Sequence, residues 1–233
     1  MSARRIARIL GCLVLTSWAV ALGPTAVSAS AEPCPDVEVV FARGTGEPPG
    51  VGGVGQSFVD ALRSQVGNRS LGVYPINYPA SADFGGGIQF AQTVIEGIRD
   101  AATHIETMAA SCPKTRMVLG GFSQGAALAG FVTAAEVPPQ IPAALVPAPM
   151  PPEIANHVAA VALFGKPSDN FLRDSGAPTV VIGPLYVPKT KDLCAPDDTI
   201  CNGAPPGAPS VAHGVYPVNG MVGDAAAFAA SRL

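Results

Sequence analysis

The chain predicts an α/β fold, a five-stranded and mainly parallel sheet covered by helices on both faces in a three-layer sandwich. Three observations lead there. Apolar, β-branched runs alternate with helical patterns along the length of the chain, which is the mark of repeated βαβ units. Residues 32–233 make 202 residues, a length that suits one domain with a sizeable core. A pentapeptide, Gly121-Phe122-Ser123-Gln124-Gly125, sits where one of those strand-like runs turns into a helix-like one.

In order, the strand-like 37–42 leads to a helical pattern over 55–66, then strand-like 72–78 to a long helical pattern over 88–110. The apolar run at 115–120 enters the pentapeptide, and small residues after Ser123 continue as a close-packed helix. Strand-like 157–164 and 179–182 follow, and a final helix is expected near 219–232. The segment 137–152 holds seven prolines in sixteen residues and has no usable period, so it is a surface loop or insertion, either lining a cleft or acting as a spacer.

Residues 1–31 stand apart from this pattern. Arg4, Arg5 and Arg8 precede an apolar stretch from 9 to 22, and Ala29-Ser30-Ala31 is a small-residue cleavage site, which together describe a secretory signal peptide cut after Ala31. Gly23-Pro24 stops the apolar stretch short of the roughly 18 residues a spanning helix needs. No later segment reads as transmembrane, so an exported protein, extracellular or associated with the cell wall, is expected. Without the leader, 11 basic residues face 17 acidic ones, a formal charge of −6. With no basic stripe and no aromatic platform, nucleic acid is not an expected partner. A monomer without cofactor or metal is expected.

Four cysteines remain after the leader: Cys34, Cys112, Cys194 and Cys201. An even count in an exported chain reads as two disulfides, and the absence of any C-x2-C pair argues against zinc. Cys34 and Cys112 each fall three residues before a strand. If those strands are neighbours, about 4.8 Å apart, the pair lies within disulfide reach, which leaves Cys194 with Cys201.

A G-x-S-x-G sequence between strand and helix places a serine on a strained turn, at the carboxyl end of a parallel strand where such sheets bind ligands. A serine hydroxyl needs a neighbouring imidazole to act as a nucleophile near neutrality, and that base is oriented by a carboxylate. Three histidines are available. His104 falls inside a helix far from the strand ends, and His157 starts a strand at the opposite edge of the sheet. His213, in a late loop, is left as the base. Glu136, Glu153, Asp169, Asp174, Asp192, Asp197 and Asp198 all satisfy the order serine, acid, histidine. The short Cys194–Cys201 loop narrows them to Asp197 and Asp198 and leaves those two level. An oxyanion hole is expected from the backbone N–H of Gln124 and from Thr45 in Phe41-Ala42-Arg43-Gly44-Thr45-Gly46, which leaves the first strand. That stretch matches neither G-x-G-x-x-G nor the phosphate-loop pattern.

Residues 39–45, the pentapeptide, Cys194-x3-Asp198-x2-Cys201 and His213 resemble the cutinase family over essentially the whole mature chain, in particular the secreted cutinase-like proteins of mycobacteria. The resemblance implies a minimal α/β-hydrolase with a shallow, lidless site that cleaves carboxylic esters, so lipid-like ester substrates are the expected partners. Position by position it implies Ser123 as nucleophile, Asp198 rather than Asp197 as acid, His213 as base, and Thr45 with Gln124 as oxyanion donors. Phospholipase, thioesterase and an inactive binding or antigenic protein are the competing readings. Phe122 stands where the family commonly has tyrosine, and Thr45 where fungal members carry serine.

Overall fold

The computed structural model describes residues 34–205 and 207–233; the leader read over 1–31 lies outside the described residues. Five strands form the sheet: β1 (Val37–Ala42), β2 (Leu71–Pro75), β3 (Arg116–Phe122), β4 (Val158–Phe164) and β5 (Thr190–Leu193). Their order is β2-β1-β3-β4-β5, and every neighbouring pair is parallel. The connecting helices are α1 (Gly52–Arg63), α2 (Ile88–Ser111), α3 (Gln124–Val132), α4 (Asp169–Asp174) and α5 (Met221–Ala230).

The strands β1, β3 and β4 are buried along nearly their whole length, which is why they read as unbroken apolar runs. Alternate side chains then sort to the two faces. Val37, Val39, Phe41, Val118, Ala160, Ala162 and Phe164 pack with Phe58 and Leu62 of α1 and with Val222 and Ala225 of α5. Val40, Ala42, Met117, Leu119, Val161 and Leu163 meet Ile105 of α2 and Leu128 of α3 on the other side. Fully burying an aliphatic or aromatic side chain of this kind contributes about 1.5–3 kcal/mol, so these two cores dominate the stability of the fold. Helix α3 is apolar all round because it is buried all round, from Gln124 to Gly130 and at Val132.

Two departures from the sequence reading are informative. Helix α1 begins at Gly52 rather than 55, since the Glu47 carboxylate accepts the Gly53 N–H at 2.8 Å and so supplies the cap that Val51 lacks. The fifth strand is 190–193, not 179–182. The Thr-Val-Val-Ile run at 179–182 has no strand partner among the described residues; it lies on α3, with Val180 against Gly130 and Ile182 on the core. Thr190-Lys191-Asp192-Leu193 pairs with β4 at the sheet edge, where one ladder and one buried residue suffice. The proline-rich 137–152 is irregular apart from a turn of 3-10 helix at Ala143–Leu145 and its last residue, which opens the 3-10 helix Pro152–Asn156. Both of its anchors, the end of α3 and the start of β4, lie at the amino end of the sheet.

Candidate active site

The chain runs from β1 outward to β2 and then back across to β3, so the direction of winding reverses between β1 and β3. In open parallel sheets the crevice at such a reversal, outside the carboxyl ends of the strands, is the ligand site. Ser123 stands there, immediately after β3, with φ 55° and ψ −120°. Few non-glycine residues adopt such a backbone, and it persists only where the surroundings hold it. Here its N–H donates to the Phe164 carbonyl at 2.8 Å and its own carbonyl accepts Ala126 N–H at 2.9 Å, so sheet and helix grip it from either side. The flanking glycines permit the turn: a Cβ on Gly121 would overlap the Gly125 carbonyl, and one on Gly125 would overlap the carbonyls of Ala42 and Arg43.

His213 lies in a single 3-10 turn, Val211–Gly214, and is 8% exposed. Its Nε2 is 2.8 Å from Ser123 Oγ, and its Nδ1 is 2.9 Å from both oxygens of Asp198. An ionised carboxylate can only accept, so the proton sits on Nδ1 and leaves Nε2 free to accept the serine proton. Asp198 is wholly buried. Removing one partner from a buried charge pair costs about 3–5 kcal/mol, so its satisfaction matters. Besides the imidazole it accepts Ile200 N–H at 3.0 Å and the Tyr216 hydroxyl at 2.5 Å. Asp197, by contrast, is exposed and left-handed at φ 65°, and that turn carries the chain so that the next carboxylate faces inward.

Cys34 is joined to Cys112 and Cys194 to Cys201. The first bond staples the entrances of β1 and β3; the second closes the loop that carries Asp198.

On the other side of the serine, the loop leaving β1 is tied down by its own charges. Arg43 is 5% exposed and donates to the Glu47 carbonyl at 2.8 Å and the Tyr78 carbonyl at 2.5 Å, while the Tyr78 hydroxyl returns a bond to the Arg43 carbonyl. Burial pushes the Tyr78 phenol well above its ordinary range, so it remains a donor. Gly44 N–H donates to the Glu47 carboxylate at 2.6 Å, and Gly46 N–H to the Ala80 carbonyl at 2.8 Å. Thr45 sits half-buried in this turn. Gly125, in the first turn of α3 headed by Gln124, packs directly on Ala42 and Arg43, from which the chain runs on to Thr45. The first N–H groups of a helix have no acceptor inside it, so Gln124 N–H is free to meet a ligand oxygen.

The two histidines set aside from the sequence lie elsewhere. His157 immediately precedes β4, at the amino end of the sheet. His104 does more than coat a helix: its Nε2 lies 2.9 Å from a carboxylate oxygen of Glu38 on β1, and its ring stacks on Tyr74 at 3.4 Å.

Two contributors escape the motif reading, and a third, Phe122, is in the motif but its packing is not visible from it. Tyr216 donates its hydroxyl to Asp198, and a Cβ added to Gly165 would come within 3.0 Å of His213 Cε1 and of the Tyr216 hydroxyl and 3.1 Å of Asp198 Oδ2. Phe122 packs its ring on His213, 4.8 Å between centroids, and on Tyr216 at 5.8 Å. The signal available for Tyr216 is its position three residues after the histidine, as the one aromatic between His213 and the final helix. For Gly165 there is none.

A dyad of serine and imidazole completed by a buried carboxylate, at the carboxyl edge of a parallel α/β sheet, defines the class of serine-dependent α/β-hydrolases. The family model "Cutinase" matches residues 33–233, and the chain belongs to the cutinase family. It is 64% identical over 170 residues to "Probable carboxylesterase Culp7" of Mycobacterium tuberculosis, covering 73% of this chain and 89% of that one. It is 47% identical over 236 residues to "Carboxylesterase Culp1" of the same organism, covering 100% of this chain and 98% of that one. Among solved structures, the Trichoderma reesei cutinase in complex with a phosphonate inhibitor superimposes with a TM-score of 0.61 at 30% identity, over 85% of this chain and 77% of that one.

Proposed function

We propose that Ser123, His213 and Asp198 carry out ester hydrolysis in this chain, a carboxylic ester hydrolase of the cutinase family, through an acyl-enzyme intermediate. The observation that carries the assignment is the continuous hydrogen-bonded line from Ser123 Oγ to His213 Nε2, 2.8 Å, and from His213 Nδ1 to Asp198, 2.9 Å. His213 takes the serine proton as Oγ attacks the ester carbonyl, and the oxyanion is held by the backbone N–H of Gln124 and by the N–H and hydroxyl of Thr45. The imidazolium then protonates the leaving alkoxide. Water repeats the sequence on the acyl-enzyme: it gives its proton to His213, its oxygen attacks the acyl carbon, and Ser123 departs with the proton returned. Asp198 stays ionised throughout; it holds the ring in the productive tautomer and offsets the positive charge.

The substrates proposed are lipid-like esters with short to medium acyl chains. Ser123→Ala is expected to abolish cleavage of p-nitrophenyl butyrate and labelling by a fluorophosphonate probe. Parent-like hydrolysis by that variant rejects the assignment. The protein is proposed to act outside the cell after loss of residues 1–31, a reading supported by its two disulfides, which form and persist in oxidising compartments. N-terminal sequencing of protein from culture medium or cell wall should begin at Glu32; an intact Met1 would contradict it.

A further inference from the structure

The imidazole is one of three donors to Asp198, and the Tyr216 hydroxyl, at 2.5 Å from Oδ2, is the shortest of them. The direction of that bond follows from the other neighbours of the hydroxyl. Ala195 N–H, 3.1 Å away, can only donate to it. Cys201 Sγ, 3.5 Å away, is in a disulfide and has no proton to give. A phenol has one proton, and the ionised carboxylate is its nearest acceptor. Burial raises the phenol pKa well above the ordinary tyrosine range, and the bond to Asp198 raises it further, so the proton stays on the phenol. The other charged groups facing this cluster are Asp192 on β5 and Lys166 just after β4, which pair with each other at 3.3 Å.

The ring that presents this hydroxyl is fixed. Tyr216 is wholly buried, edge-on to Phe164 with 6.0 Å between centroids at 74° and edge-on to Phe122. Phe164 in turn packs on Phe41 and Phe58, so the hydroxyl is held by the aromatic centre of one of the two cores. The carboxylate has no comparable support from its own loop beyond the Ile200 N–H.

We infer that Tyr216 is a positioning residue of the hydrolytic site, whose hydroxyl holds the Asp198 carboxylate toward His213 and sets the basicity of that histidine by drawing on the carboxylate's charge. This rests on the roles given above to Asp198 and His213. Hydrogen bonds to an ionised group are about twice as strong as neutral ones. The bond from Tyr216 therefore lowers the pull of Asp198 on an imidazolium, and its loss makes His213 hold its proton to higher pH.

The test compares Tyr216→Phe, which keeps the ring, with the parent. With p-nitrophenyl butyrate, kcat is expected to fall about tenfold or more with KM within about twofold, as loss of a charge-assisted hydrogen bond acting through geometry would give. The midpoint of the acid limb of kcat/KM, and the NMR titration of the His213 ring, are expected to move up by about half a pH unit. A purely structural role lowers Tm and scales activity equally at every pH. An unmoved His213 midpoint in folded Tyr216→Phe therefore overturns the proposal, whatever happens to Tm or kcat. Should that variant fail to fold, site-specific 3-fluorotyrosine at position 216 decides: a more acidic phenol should lower the midpoint, and an unchanged one overturns the proposal. The NMR titration reads the proton affinity of His213 without any turnover. Failure of the hydrolytic reading, seen in Ser123→Ala, is thus distinguishable from failure of this one.

Discussion

Each end of the sheet carries a disulfide, and the two bonds do different work. At the amino end, Cys34–Cys112 joins residues 78 apart in sequence and ties the entrances of two central strands that the β1–β3 ladder already holds in register. At the carboxyl end, Cys194–Cys201 spans a separation of 7 and encloses a loop with no ladder of its own, the loop that carries Asp198. Loop-closure entropy grows with loop length and gives the long bridge about 4.5 kcal/mol against about 2.4 kcal/mol for the short one. Stability therefore concentrates at the end without the site. The short bridge serves geometry, since a buried carboxylate between the sheet and His213 tolerates little displacement.

The same contrast divides the site itself. Ser123 and the Thr45 loop extend directly from β3 and β1, so the sheet sets their positions. Asp198 and His213 lie on loops between β5 and α5, and their positions depend on a covalent clamp, a few turn bonds and Tyr216.

The largest effect expected on the loop side is that of Asp198→Asn. It leaves the shape of the site but favours the wrong imidazole tautomer, and kcat should fall on the order of 10⁴-fold in steady-state assays. Removing the long bridge with Cys34→Ser/Cys112→Ser should lower Tm by roughly 10 °C or more while kcat per folded molecule stays near the parent value, as differential scanning calorimetry and active-site titration would report. Cys194→Ser/Cys201→Ser should do the reverse, with a smaller fall in Tm and a clear fall in kcat. If the two pairs lower Tm equally and spare kcat equally, the division between a stabilising and a positioning bridge is wrong. The smallest effect belongs to Asp197→Asn. Asparagine tolerates the left-handed backbone and the side chain is exposed, so kcat/KM should stay within about twofold of the parent.

Most of the fold was legible because buried parallel strands announce themselves as apolar runs and helices as a 3.6-residue period. The fifth strand was not. Thr179-Val180-Val181-Ile182 is the more strand-like in composition, yet it serves as a cover for α3, while the polar Thr190-Lys191-Asp192-Leu193 forms the edge. An edge strand is defined by who its neighbour is, and composition carries little of that. The disulfide pairing was legible from strand entrances, and elimination among three histidines left His213, the histidine whose Nε2 lies 2.8 Å from Ser123 Oγ. Asp197 and Asp198 were level until the resemblance to cutinases favoured the second; the turn at Asp197 leaves Asp198 as the buried carboxylate beside His213.

The amino-acid sequence alone determined the sheet-and-helix alternation, the strained turn around Ser123 and the set of residue types able to do acyl transfer, because these depend on neighbours within a few positions. Tertiary structure decided which carboxylate is buried, that Gly165 must leave room beside the imidazole, and that Phe122 packs on His213 while Tyr216 donates to Asp198. Those outcomes depend on groups brought together from β3, β4 and two late loops by the packed sheet, which sets the Phe122 ring 4.8 Å from that of His213 and His213 Nδ1 2.9 Å from Asp198.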